Sequence, residues 1–168
     1  MLWTLFDTHP RRVLAAISVV CVAMLAFGLY LQHVVGLEPC PMCIVQRYAL
    51  ILVAVFAAIA AMLRGRGGRR VLALLAVLAA GFGAFTAARQ SFLQWYPPEF
   101  ASCSRDFYGM IETFPLKRAI PMIFKGSGDC TAIDWTFLGG SIANWAFVAF
   151  VVLGLALLVL LARSFRRA

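Results

Sequence analysis

Four apolar runs, each about as long as a bilayer is thick, dictate what this chain folds into. They cover roughly residues 13–35, 43–63, 71–93 and 142–161, and the first holds no charge between Val13 and Tyr30. A helix needs about 20 mostly apolar residues to cross the hydrocarbon core. Within that core each backbone N–H and C=O must be satisfied inside the segment, which points to helices for runs of this length. The charged share is 13%, against a hydrophobic share of 63%, whereas soluble domains carry about a quarter charged residues. The expectation is a single all-α integral membrane domain: a four-transmembrane-helix bundle, with a long extramembrane loop over about 94–140 between the third and fourth helices. The net charge of +8 does not suggest a nucleic-acid partner. Its basic residues gather at the ends of the apolar runs, so the partner implied is the lipid bilayer.

The same basic residues set the orientation. Arg11, Arg12, Arg64, Arg66, Arg69, Arg70, Arg163, Arg166 and Arg167 are nine of the fifteen lysines and arginines, and a four-span topology puts all nine on one side. Asp7 is the single acidic residue there, and the other six acidic residues fall opposite. Basic loops stay in the cytoplasm, so both termini are expected inside and the loop cysteines outside. In a bacterial inner (plasma) membrane, outside is the oxidising periplasm, where disulfides persist. The first run lacks a convincing small-residue cleavage site and is expected to remain as an anchor rather than leave as a signal peptide.

The connections differ in character. Gly36 to Pro41 is too short for a domain, and Arg64 to Arg70 reads as a compact basic turn. The third run is rich in Ala and Gly, which lets membrane helices approach closely. The long loop opens on Trp95-Tyr96-Pro97-Pro98, an interfacial aromatic pair followed by a helix stop. Pro115 and Pro121 exclude one long helix. Leu116 to Phe124 mixes basic and apolar residues and suits either a membrane-surface segment or a half-buried loop. Gly126 to Cys130 reads as a turn.

The chemistry lies in the cysteines. Cys40-Pro41-Met42-Cys43 opens the second run. Pro41 suits the first turn of a helix, so both thiols belong at a helix N-terminus, where free N–H groups and the helix dipole favour a thiolate. Cys103 and Cys130 share the outer side. Cys21 lies near the middle of the first run, too deep to reach them at about 1.5 Å per residue, and reads as a small apolar filler. Three arrangements of the outer four are open. A structural zinc site prefers a second close pair or histidines, but Cys103 and Cys130 are 27 positions apart and His33 is the one nearby histidine, so no metal is expected. Two inert disulfides would make the protein an anchor or scaffold, although closing a two-residue loop constrains an unfolded chain little. Thiol–disulfide exchange between a mobile pair and a helix-terminal pair is the third.

Arg47 bears on the use of the dithiol. It lies four residues after Cys43, on the same helix face and one turn deeper. An arginine inside a membrane span is costly and marks a functional site unless its side chain reaches to the interface. Its guanidinium suits a Cys43 thiolate and an acceptor anion. Arg89 and Gln90 lie near the outer end of the third run and are candidates for the same site, or ordinary interface residues. Trp135 and its neighbouring phenylalanines read as packing and interfacial anchoring.

These residues resemble the DsbB family of bacterial inner-membrane disulfide-bond formation proteins over nearly the whole length. The matching positions are Gln32-His33, Pro39-Cys40-x-x-Cys43 with Arg47, Tyr96-Pro97, Phe100-Ala101-x-Cys103, Pro121, Ser127-Gly128-Asp129-Cys130 and Trp135-x-Phe137-Leu138-Gly139. The resemblance implies a quinone-dependent protein-dithiol oxidoreductase. A DsbA-like periplasmic oxidase would arrive reduced and attack a Cys103–Cys130 disulfide at Cys103. Cys130 would then attack Cys40 and release Cys43 as a thiolate. The electrons would pass to the membrane quinone pool, ubiquinone or menaquinone, with Arg47 at the quinone and Arg89 and Gln90 as further cofactor contacts. Some members have histidine where this chain has Gln90. Quinone-linked reductases of the vitamin K epoxide reductase type also pair cysteines in a four-helix frame, but place the Cys-x-x-Cys late in the bundle.

Overall fold

The computed structural model describes residues 9–97, 128–131, 133 and 135–166. In chain order the elements are α1 (Pro10–His33), α2 (Pro41–Met62), α3 (Arg66–Trp95), the single turn α4 (Gly128–Thr131), the strands β1 (Thr136–Phe137) and β2 (Gly140–Ser141), and α5 (Ile142–Arg166). α1, α2, α3 and α5 have 24, 22, 30 and 25 residues, and each is apolar enough to cross a membrane. The chain is therefore a multi-pass membrane protein of the all-α class. At about 1.5 Å per residue, even the shortest covers a hydrocarbon core of about 30 Å.

Helix ends follow local chemistry. Pro10 and Pro41 occupy first-turn positions of α1 and α2, where a missing N–H costs nothing. After α1, Gly36 adopts φ +80°, open to a residue without Cβ. That reversal lets the Leu37 N–H donate to the Leu31 carbonyl at 3.1 Å. The basic stretch at 64–70 departs from the turn expected of it. Only Leu63 to Gly65 connects the helices, and Arg66 to Arg70 form the first turns of α3. Long arginine side chains reach water from a helix as well as from a turn, so helical hydrogen bonding prevails. Two arginines, one from this stretch and one from α1, also complete neighbouring helix ends. Arg11 donates to the Leu63 carbonyl at 2.8 Å. Arg70 donates to the Ser164 carbonyl and lies over the Phe165 ring, 4.9 Å from its centroid. Cations are favourable at these negative dipole ends.

The side-chain pattern is inverted relative to a soluble bundle. Small residues fill the interior: Ala49, Ala57 and Ala60 of α2 face Ala76, Ala80 and Ala87 of α3. Large ones such as Val19, Leu78, Phe85 and Leu155 face outward. Lipid tails are as apolar as leucine, so association rests on close van der Waals contact rather than on hiding apolar surface from water. Among the described glycines the tightest fit is at Gly83, where an added Cβ would lie 2.3 Å from the Phe150 ring of α5. Gly83→Leu is expected to lower the thermal midpoint in detergent, with an overpacking cost of about 1–3 kcal/mol. Adding Phe150→Ala should recover part of the loss; no recovery would place the strain elsewhere. Cys21 is fully buried with Leu14, Ile17 and Val53 in this interior. Cys21→Ala should cost about 1 kcal/mol and leave turnover within about twofold, measured as thermal midpoint and thiol oxidation rate.

α3 packs along both α2 and α5, and α1 packs on α2, while α1 and α5 scarcely touch. This leaves a seam between α1 and α5, roofed at one end by the β1–β2 hairpin. Leu138 and Gly139 at its tip both have positive φ, +49° and +78°, as a two-residue type I′ connection requires. The Trp145 indole N–H donates to the Phe137 carbonyl at 2.9 Å and ties the hairpin to α5. The hairpin and the N-terminus of α2 lie at one end of the bundle, and the arginine-rich helix ends lie at the other.

Candidate active site

Cys40 is the N-cap of α2, with extended backbone at φ −65°, ψ 161°. Its sulfur accepts from the Cys43 backbone N–H at 3.4 Å, the role that an oxygen side chain fills at most helix starts. The cap geometry brings the two sulfurs to 2.9 Å, with the Cys40 thiol donating to Cys43. Cys130, carried by α4, is fully buried in a cluster with Cys40, Met42 and Leu93. Hydrogen bonding with the Cys130 side chain, then with Cys43, and then burial push the Cys40 pKa well up. Cys40 therefore holds its proton while its neighbour receives the donated bond. Three of the four outer cysteines thus meet at one point. The fourth, Cys103, lies outside the described residues, as do Leu116 to Phe124 and most of the long loop.

Two glutamines complete the thiol environment. Gln90 of α3, buried, donates from Nε2 to Cys40 Sγ at 3.3 Å and to Cys43 Sγ at 3.2 Å. Gln46 of α2 donates to Gln90 Oε1 at 2.7 Å. Arg47 lies one turn below Cys43, and its guanidinium crosses to α1, donating to Gln32 Oε1 and, at 3.1 Å, to the Gly28 carbonyl. The guanidinium is thus tied to the last turns of α1. Arg89 does not join the site. Adjacent helix positions point about 100° apart, so Gln90 turns inward while the Arg89 guanidinium lies over the Phe92 ring at 5.7 Å.

Cys43, Gln46, Arg47 and Gln90 open onto a cavity of about 700 Å³ in the seam between α1 and α5. Its walls are mostly apolar, with Val20, Met24, Leu50 and Phe150 below the polar group. Trp135 and Phe137, read from the sequence as packing and interfacial anchors, also line it. Phe27, Trp135, Phe137 and Trp145 form a continuous aromatic chain from α1 to α5, with successive ring centroids 6.2, 6.1 and 6.1 Å apart. Sequence reasoning passed over Gln46, although an uncharged amide three residues after Cys43 in an apolar run lies on the same face. Among the described residues no group of three or more His, Cys, Asp or Glu could hold a metal.

A four-span bundle that presents vicinal thiols, a third cysteine and an apolar cavity at one helix end defines a membrane thiol-redox protein. The family model for the disulfide bond formation protein DsbB matches residues 10–160, and the chain belongs to that family. It is 72% identical to disulfide bond formation protein B of Polaromonas sp. (strain JS666), over 99% of both chains. The corresponding protein of Verminephrobacter eiseniae is 66% identical, covering 100% of this chain and 95% of that one. That of Aromatoleum aromaticum is 48% identical, covering 95% and 96%. The protein is a disulfide-forming membrane oxidoreductase.

Proposed function

We propose that this protein is a thiol:quinone oxidoreductase of a bacterial inner membrane that reoxidises a periplasmic DsbA-like dithiol oxidase. The termini lie in the cytoplasm and the cysteine pairs in the periplasm, in keeping with the one-sided arginines. The observation that carries the reading is the packing of Cys130 against Cys40 at the edge of a cavity that Cys40 and Cys43 both line. Thiol exchange and electron disposal then meet at one dithiol.

In the oxidised protein Cys103–Cys130 and Cys40–Cys43 are disulfides. A thiolate of the incoming dithiol attacks Cys103, and the Cys130 thiolate leaves. The partner's second thiol resolves the mixed disulfide, so the partner loses two electrons and two protons and Cys103 and Cys130 gain them. Cys130 next attacks Cys40, and Cys43 leaves as a thiolate. Cys103 attacks Cys130 and restores the loop disulfide, leaving Cys40 and Cys43 reduced. Cys40 keeps its proton, as its raised pKa requires. DsbA-type oxidases have potentials of about −120 mV, among the most oxidising of protein dithiols, so an ordinary dithiol is a poor sink for these electrons.

The cavity suits a quinone on its own terms. A chamber of mostly apolar walls, lined also by Arg47, four glutamines, Glu38, Ser141 and both thiols of the Cys40–Cys43 pair, suits a flat apolar ring with polar oxygens. Arg47 and Gln90 would hold those oxygens, and the aromatic chain would cover the ring. When bound, a quinone supplies a two-electron, two-proton acceptor soluble in the bilayer. The test uses purified protein in lipid vesicles with a reduced DsbA-like protein and ubiquinone or menaquinone. One quinone reduced per dithiol oxidised is the expected stoichiometry; dithiol oxidation that ignores quinone would refute the assignment.

A further inference from the structure

We propose that Gln46 is a positioning residue that fixes the Gln90 amide as an uncharged hydrogen-bond donor to the Cys43 thiolate. An amide side chain is ambivalent, offering a donor on one atom and an acceptor on the other. A thiolate needs the donor turned toward it. Gln46 removes the ambivalence by donating to Gln90 Oε1 at 2.7 Å, shorter than the bonds between Gln90 and the two sulfurs. With its oxygen so engaged, Gln90 directs Nε2 at both sulfurs, 3.3 Å from Cys40 and 3.2 Å from Cys43. When Cys43 is a neutral thiol, its S–H still reaches the spare lone pair of Gln90 Oε1 at 3.6 Å. Both protonation states of Cys43 are therefore served without turning the amide over.

Gln46 and Gln90 are 6% and 4% exposed, so water does not compete and the orientation is set by protein alone. Neither group titrates. The donor is consequently the same at every pH, unlike an imidazole, which changes charge between about pH 5 and 8. The inference rests on the proposed redox role of Cys43, but its test needs neither quinone nor protein partner.

The measurement is the rate at which iodoacetamide alkylates Cys43, since the thiolate is the nucleophile. The background is the full chain in detergent micelles carrying Cys21→Ala, Cys40→Ser, Cys103→Ser and Cys130→Ser, with thermal midpoints recorded alongside. At pH 7, Gln90→Leu should slow alkylation about tenfold, the loss of one hydrogen bond to a charged group. Gln46→Met should slow it about threefold, because the amide then spends time reversed. Gln46→Glu should slow it at least as much as Gln90→Leu. A carboxylate accepts from Gln90 Nε2 and swings Oε1 toward the sulfur.

A double-mutant cycle separates this from plain repulsion by the new charge. In a Gln90→Leu background the Gln46→Glu effect should shrink to about twofold or less. Gln90→His should add a second step to the pH–rate profile between about pH 5 and 8, where the parent shows one. An unchanged rate in Gln46→Met, an undiminished Gln46→Glu effect without Gln90, or rates that merely follow thermal midpoint would each overturn the proposal. Failure of quinone-coupled turnover with this order of rates intact would refute only the proposed function.

Discussion

Cys130→Ser is expected to abolish turnover and to accumulate an acid-trappable disulfide between the DsbA-like partner and Cys103. In the proposed cycle Cys130 leaves when Cys103 is attacked, and later it is the nucleophile that attacks Cys40. Serine can do neither, because an alkoxide is a far poorer leaving group and nucleophile at neutral pH than a thiolate. With Cys103 free at the start, it attacks a partner bearing its own disulfide and captures it directly, and with Cys130 gone only the partner's released second thiol can reverse the bond. The fully buried position of Cys130 beside Cys40 makes the second half of the argument spatial. Removing this sulfur also removes the largest influence that raises the Cys40 pKa, so reduced Cys40 in the variant should alkylate at lower pH. The experiment mixes the variant with oxidised partner, quenches with acid and separates the products without reductant. Turnover near the parent rate would show that electrons reach Cys40 by another route.

Much of this architecture is legible in the sequence because a bilayer leaves few alternatives. Apolar runs of spanning length force helices. Helix ends are less legible. Arg66 to Arg70 look like a turn by composition, yet the chain gains more by continuing the hydrogen-bond ladder than by freeing arginines that already reach water. The site was legible where covalent spacing carries it, as in Cys40, Cys43 and Arg47 on one helix face. It was obscure wherever two helices must be placed side by side. Gln46 matters because Gln90 stands opposite it, a relation across 44 positions that no local pattern contains. Arg89 and Gln90 compete for the same inward direction, and only the rotation of α3 decides between them. The aromatic chain joins Phe27 to Trp145 through a hairpin whose two strands are each two residues long, too short to announce itself.

Arg47→Met should separate electron disposal from thiol exchange. The substitution removes the charge and retains most of the apolar stem, so the packing of α2 on α1 is largely kept. What disappears is a guanidinium lining the cavity and anchored on α1 by Gln32 and the Gly28 carbonyl. Charge attraction is strong where water is scarce, and one charge-assisted hydrogen bond contributes about 1.5–3 kcal/mol. The apparent KM for quinone should therefore rise by about tenfold or more, and reoxidation of the Cys40–Cys43 pair should slow. Exchange between the partner and Cys103–Cys130 should stay within about twofold, because Arg47 is about 6 Å deeper than Cys43 along the helix. Lysine should restore only part of the loss. It returns the charge, but a single ammonium does not reproduce the planar fork that bridges Gln32 and the Gly28 carbonyl while facing the cavity. Two rates on one preparation decide the matter: quinone reduction at varied quinone, and single-turnover mixed-disulfide formation. Equal losses in both would mean the variant is misfolded. No loss in either would mean the guanidinium serves only to join α1 to α2, and the quinone would then have to lie against the aromatic chain without it.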